Sequence, residues 1–113
     1  MLERIFKLSD KIRYAAIYKN GTLEKQSKLG TVGASSSESD QYEELLVNPT
    51  ILTLTSQRGN IDCGGLSYIL IRYGNFFQYV LPQSWGHVSV CIEADSDPIA
   101  IGGLVQALLN ELT

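Results

Sequence analysis

The residue types that most often carry out catalysis are scarce in this chain. It contains one histidine, His87, and two cysteines, Cys63 and Cys91. His87 and Cys91 share one predicted strand, which places their Cα atoms about 13 Å apart, too far for a Cys–His dyad. We therefore predict no catalytic residues and no enzyme activity. We also expect His87 and Cys63 to be dispensable for folding.

Neither a metal site nor a cofactor site is predicted. Two cysteines and one histidine without C-x-x-C or H-x-x-x-H spacing do not form a zinc site. A loop rich in glycine and serine, residues 30–37, could hold a phosphate through its backbone N–H groups. Because it lacks both G-x-x-x-x-G-K-[ST] and G-x-G-x-x-G, we expect it to cap the following helix instead.

Two residues are candidates for binding a partner. Trp85 lies beside Gly86 at a predicted hairpin tip, and tryptophan is enriched in binding hot spots. The alternative is that its ring folds back over the sheet. Arg58 shares a glycine-rich segment with Asp62 and Cys63, where a thiol near a cation could form a redox or ligand site. We assign Trp85 and Arg58 to partner binding.

The composition is typical of one small globular domain, residues 1–113. The chain is 44% hydrophobic and has a net charge of −3. Residues 1–28 hold seven basic and three acidic side chains, whereas the rest holds nine acidic side chains and two arginines. A net acidic chain is not expected to bind nucleic acid. No apolar run reaches the roughly 20 residues that span a bilayer, so no membrane partner is expected. Two cysteines without an export signal predict a cytoplasmic protein.

The N-terminal third predicts a helix followed by a hairpin. Apolar residues at helical spacing indicate a short first helix. The alternating segment 12–18 predicts a strand, and Asn20-Gly21 after it predicts a tight turn. The return strand, residues 22–28, is polar and lysine-rich, which is typical of a protected sheet edge.

The middle of the chain predicts a helix that begins near Glu38 and is interrupted. Its apolar residues include Tyr42, Leu45 and Leu46. Asn48 and Pro49 are expected to end this helix and start a second one, which runs toward Gln57 and ends at Gly59. The segment 51–55 is rich in β-branched residues and could be a strand, but we favour a helix.

The C-terminal half predicts three strands and a helix. The strands are Leu66–Tyr73, Phe76–Leu81 and His87–Ala94, and they form an antiparallel meander. Asp97 and Pro98 predict the start of the last helix. On the third of these strands His87, Ser89, Cys91 and Glu93 lie opposite the apolar face, and we expect them to be only partly covered.

These elements predict an α+β domain with the topology α-β-β-α-β-β-β-α. The sheet is five-stranded and antiparallel, in the strand order 2-1-5-4-3, and is flanked by helices. Its two edges differ, because residues 22–28 are protected by lysines whereas residues 66–73 carry one charge. Such an open edge can pair with a second copy of the chain. We expect a homodimer through it, with the segment 42–57 beside it. The expected interface residues are Leu66, Tyr68, Ile69, Leu70, Ile71, Tyr42 and Leu46.

The whole chain resembles the Roadblock/dynein light chain family of the longin and profilin-like superfamily. The resemblance rests on the strand 12–18 with Asn20-Gly21 and on the meander 66–94 that closes on a C-terminal helix. It implies a non-enzymatic homodimeric scaffold or a regulator of a small GTPase of the Ras-like type, or of a motor ATPase. Other profilin-like relatives are sensory domains, so the alternative is a domain that binds a small ligand.

Overall fold

The computed structural model describes residues 1–31 and 33–112. Within them, five strands form one antiparallel sheet in the order β2-β1-β5-β4-β3, which confirms the predicted strand order. The strands are β1 (Ile12–Lys19), β2 (Thr22–Ser27), β3 (Ile69–Arg72), β4 (Phe76–Gln83) and β5 (Gly86–Glu93). The helices are α1 (Leu2–Phe6), α2 (Ser37–Tyr42), α3 (Asn48–Asp62) and α4 (Pro98–Glu111), and a π-helical turn (Glu43–Val47) joins α2 to α3.

The turn between β1 and β2 has the predicted geometry. Asn20 has a φ of 52° and Gly21 a φ of 84°, and a type I′ turn requires positive φ at both central residues. Tyr14 then pairs with Ser27 and Lys19 with Thr22. This register makes β2 the polar outer strand of the sheet.

The hydrophobic core lies between one face of the sheet and helices α1 and α4. Its fully buried members include Ile5, Ile12, Ala15, Val88, Val90, Ile92 and Val105. Asp97 caps α4 as predicted, because its carboxylate accepts hydrogen bonds from the backbone N–H groups of Ile99 and Ala100 at 3.1 Å. This capped helix fixes the core side of the sheet.

The opposite face is covered by α2, the π turn and α3, which run on as one helix over residues 37–62, here called the long helix. A second α-helical segment does begin at Asn48 with Pro49 in its first turn, as predicted, but the helix does not break there and the predicted Asn48 cap is wrong. Asn48 has helical dihedrals (φ −62°, ψ −47°), and the cap is Ser36, whose Oγ accepts from Ser39 N at 3.1 Å. A proline in a helix lacks an N–H and crowds the carbonyl four residues earlier. The π turn shifts the hydrogen-bonding pattern at this position, which accommodates Pro49.

The long helix also ends later than predicted, at Asp62 rather than at Gly59. The segment 51–55 is helical, as favoured. Gly59 lies inside the helix, where a Cβ would stand 3.1 Å from the carbonyl carbon of Gly65. Its missing side chain therefore allows the chain to return closely past the helix, and Gly65 N donates to Gly59 O at 3.1 Å.

Strand β3 is shorter than predicted, since only Ile69–Arg72 pairs with β4. Ile69 is opposite Val80. Continuing this register would bring Ser67 opposite Pro82, which has no N–H for the ladder. Residues 66–68 therefore lead into the strand without belonging to it.

Candidate functional site

Three of the four residues on the polar face of β5 are buried, contrary to the expectation of partial cover, and only Glu93 is partly covered as expected. His87 is 1% exposed, Ser89 0% and Cys91 7%. The long helix lies over these side chains and contributes polar groups of its own. This interface between helix and sheet is the most unusual part of the molecule, because buried polar groups are costly unless they are hydrogen-bonded.

Glu44, in the π turn, is the centre of a buried hydrogen-bond network. Its side chain is fully buried. Tyr14 OH donates to Glu44 Oε2 at 3.0 Å, and Asn48 Nδ2 donates to Glu44 Oε1 at 2.8 Å. His87 Nε2 lies 2.8 Å from the same Oε1. Three elements, β1, β5 and the long helix, thus meet at one carboxyl group.

Two members of this network show the effect of burial. Burial, and then the adjacent Glu44 carboxylate, raise the pKa of Tyr14 far above its ordinary value, so that the phenol stays a hydrogen-bond donor. Asn48 Oδ1 is a buried acceptor with no partner in the part of the chain that the structure describes. An orphaned acceptor of this kind costs about 1–3 kcal/mol. His87 is part of this network. We therefore expect it to contribute to stability, contrary to the expectation from the sequence that it is dispensable for folding.

The π turn brings the buried side chains of the long helix onto one side. An α-helix turns about 100° per residue, which would place Ile61 about 100° around the axis from Tyr42. A π turn takes an additional residue and rotates everything after it back by a similar angle. Residues on the buried side are Glu44, Asn48, Leu52 and Gly59. Apolar residues on the exposed side are Tyr42, Leu46, Leu54 and Ile61.

A cavity of about 570 Å³ opens beside this network, between the start of the long helix and the sheet. Tyr14, Gln78 and Cys91 belong to its sheet wall and Glu43 to its helix wall. At its edge Tyr73 OH donates to Glu43 Oε1 at 2.8 Å. The cavity therefore combines aromatic walls with carboxylates.

Burial changes the ionisation of several groups in this cavity. Desolvation raises the pKa of Asp40 and of Glu43, and the negative charge of Glu44 adds to both shifts. Burial and then the hydrogen bond to Glu43 raise the pKa of Tyr73 to about 12. Burial raises the pKa of Cys91 well above its ordinary value, which keeps it an unreactive thiol.

The predicted dimer residues lie on two neighbouring elements, the long helix and β3. Tyr42 and Leu46 are exposed on the helix. Ile69 and Ile71 are half-buried on β3, on the sheet face that the helix covers. The helix contacts both ends of this edge. At one end is the Tyr73–Glu43 hydrogen bond described above; at the other, Gly59 packs so closely that an added Cβ would lie 3.4 Å from Leu66 N.

The other three predicted dimer residues have different surroundings. Leu66 is half-buried and precedes β3. The Tyr68 ring stacks on that of Tyr79, with centroids 4.7 Å apart. Leu70 packs against the main core. Tyr68 and Leu70 therefore lie on the core side of the sheet.

The two predicted partner-binding residues are not brought together. Trp85 lies at the turn between β4 and β5 and packs against the core, with Lys19 Nζ 5.4 Å from its ring centroid. The Trp85 ring thus folds back over the sheet, which was the alternative to a role in partner binding. Arg58 is exposed on the long helix and pairs with Asp62 at 2.6 Å. The two side chains have separate partners and do not form one site.

Sequence reasoning missed Glu44 and misassigned Asn48 as a cap. A signal existed, because a glutamate directly before two leucines of a helix, and a lone histidine within an apolar strand, are both candidates for burial with a partner. No pattern, however, could show that the two would meet. Within residues 1–31 and 33–112 no three His, Cys, Asp or Glu side chains are placed to hold a metal ion.

None of the described helices is both long and apolar enough to cross a membrane. Comparison with known proteins gives no assignment: no protein-family model matches this chain, and no curated protein matches it significantly.

Proposed function

We propose that this protein is a homodimeric interaction module without enzyme activity, which acts as a scaffold or regulator of a Ras-like GTPase or a motor ATPase. One observation carries the proposal. The long helix, which contacts both ends of the open edge strand β3 through Glu43 and Gly59, exposes a row of apolar side chains. The row, here called the apolar stripe, consists of Tyr42, Leu46, Leu54 and Ile61.

The apolar stripe is unusual for a surface helix. A helix on the surface of a monomer normally buries one apolar side and exposes a polar one. Here the buried side carries Glu44 and Asn48, while Ile61 on the exposed side is 75% accessible. Several large apolar side chains exposed on one helix are typical of a protein interface.

A second copy of the chain is the partner that fits both the open edge of β3 and the apolar stripe. Two β3 strands related by a two-fold axis would pair antiparallel and satisfy each other's open N–H and C=O groups. The same axis would bring the two long helices next to each other, so that exposed apolar side chains near the axis, such as Leu46, become buried. The resemblance to Roadblock proteins supports this arrangement and the NTPase partner. Two unpaired thiols, exposed Cys63 and buried Cys91, are compatible with a cytoplasmic location.

Affinity capture with paired variants tests this function. Leu46→Lys places a charge on the apolar stripe, and Leu104→Lys places one at a comparably exposed position on α4 (56% and 47% exposed). We expect wild type and Leu104→Lys to retain a nucleotide-hydrolysing partner from the source cell extract, and Leu46→Lys to lose it. Equal capture by all three baits, or capture of no NTPase, would contradict the proposal.

A small-ligand-binding domain is the second candidate function. The cavity of about 570 Å³ between helix and sheet favours it, because ligand sites are commonly concave spaces of about 300–1,000 Å³.

A further inference from the structure

The walls of this cavity carry one sign of charge. The carboxylates among its lining residues are Glu38, Asp40, Glu43 and Glu44, and no lysine or arginine is among the described residues that line it. Lys25 lies close enough to influence Asp40, but its Nζ donates to Ser37 Oγ at 2.6 Å. An anionic ligand would meet an excess of like charge, so the cavity discriminates against it.

An independent observation in the sheet wall concerns Gln78. Its side chain is 1% exposed and lines the cavity. Its Nε2 donates to Ser89 Oγ at 2.8 Å, while its Oε1 accepts no hydrogen bond from any residue that the structure describes. Among the described residues the fully buried side-chain acceptor without a partner is Asn48 Oδ1, so Gln78 Oε1 remains accessible from the cavity. It is suited to a ligand that brings an N–H group.

The aromatic part of the cavity is suited to the alkyl chain of a ligand. The Tyr73 and Phe76 rings meet edge to face, with centroids 5.5 Å apart. The guanidinium carbon of Arg13 lies 5.0 Å from the Phe76 ring centroid, so a positive charge already occupies one face of this ring. Alkyl groups pack well on such rings.

We propose that the cavity binds a small aliphatic amine, with a di- or polyamine as the preferred class. One ammonium group donates to Gln78 Oε1 and to the carboxylates of Asp40 and Glu43, and the alkyl chain lies on Tyr73 and Phe76. This proposal rests on the second candidate function above.

The ionisation of the cavity supports this ligand class. Desolvation and mutual repulsion raise the pKa values of Asp40 and Glu43, and a bound ammonium group would relieve both effects. A metal ion fits less well, since the described residues place no three metal-binding side chains together. An organic cation also uses the aromatic wall, which a metal ion would not.

Isothermal titration calorimetry at neutral pH and low salt tests the proposal with three four-carbon probes. These are putrescine (a diamine), 1,4-butanediol (its neutral counterpart) and succinate (its anionic counterpart). We expect saturable binding of putrescine alone, weakened by added salt. If butanediol or succinate bound as tightly as putrescine, the ammonium proposal would be overturned, but the cavity would still be a ligand site. If none of the three probes bound saturably, both the amine proposal and the small-ligand function would be overturned, whereas the homodimer proposal would be tested separately.

Variants locate the site. Asp40→Asn and Glu43→Gln keep the shape of the cavity and remove a charge, so each should weaken putrescine binding by about tenfold. Glu3→Gln removes an exposed carboxylate on α1 and should leave the affinity unchanged. Equal affinities for all variants would place the amine elsewhere and contradict the proposal. Circular dichroism verifies that each variant is folded.

Discussion

Glu44 Oε1 lies 2.8 Å from His87 Nε2, and this contact joins the π turn of the long helix to β5. Both side chains are inaccessible to solvent. A buried polar pair specifies position more strictly than apolar packing does, because a shift of the helix would leave both groups unpaired. The contact therefore fixes the long helix on the sheet and, with it, the direction in which the apolar stripe points.

His87→Ala should destabilise the protein by about 2–4 kcal/mol, because it removes a hydrogen-bond partner from a buried carboxyl group and leaves a cavity. Urea denaturation followed by circular dichroism measures this loss. Cys63→Ser is the control, since Cys63 is exposed and its change should stay within about 0.5 kcal/mol. A loss below about 1 kcal/mol for His87→Ala would show that the network does not hold the helix.

The topology could be predicted from the sequence because its signals are local. Alternation in β1 and β5, the Asn20-Gly21 turn and the Asp97 cap each depend on neighbouring residues. The sequence also distinguished the lysine-protected edge from the open one. These features, taken together, were sufficient for the strand order.

The candidate site could not be predicted in the same way. Its key contact joins residues far apart in the chain, and the π turn changes the helical period on which a sequence analysis depends. Asn48 and Pro49 carry the local signature of a helix start, but the packing of Asn48 on Glu44 overrides it. The cavity depends on this arrangement and so remained hidden as well.

Two adjacent glycines in α4 should respond oppositely to alanine. A Cβ on Gly102 would collide with the Tyr79 ring, whereas one on Gly103 would meet open space. We expect Gly102→Ala to lose about 2 kcal/mol or more and Gly103→Ala to gain about 0.5–1 kcal/mol from its higher helix propensity. Thermal unfolding of both variants tests this. Equal shifts would contradict the packing of α4 on Tyr79.

Glu43→Gln should leave the protein at least as stable as wild type at neutral pH. Burial raises the folded-state pKa of Glu43, and Asp40 and Glu44 add to the shift, while the Tyr73 hydrogen bond opposes it. A carboxyl group with a raised folded pKa stabilises the fold when protonated and loses this contribution as pH rises through that pKa. The difference in stability between the variant and wild type should therefore shrink toward about pH 4, where Glu43 is largely protonated in both the folded and the unfolded protein.

Urea denaturation at both pH values measures this difference, with Glu3→Gln as the exposed control. A variant that is less stable than wild type at neutral pH would show that the hydrogen bond from Tyr73 requires a charged acceptor.

The most direct test of the homodimer is the molar mass in solution, measured by light scattering at tens of micromolar protein. We expect wild type and Leu104→Lys to show twice the chain mass of 12.5 kDa, and Leu46→Lys to show 12.5 kDa. A wild-type mass of 12.5 kDa, or a Leu46→Lys protein that remains dimeric, would contradict dimerisation through β3 and the apolar stripe.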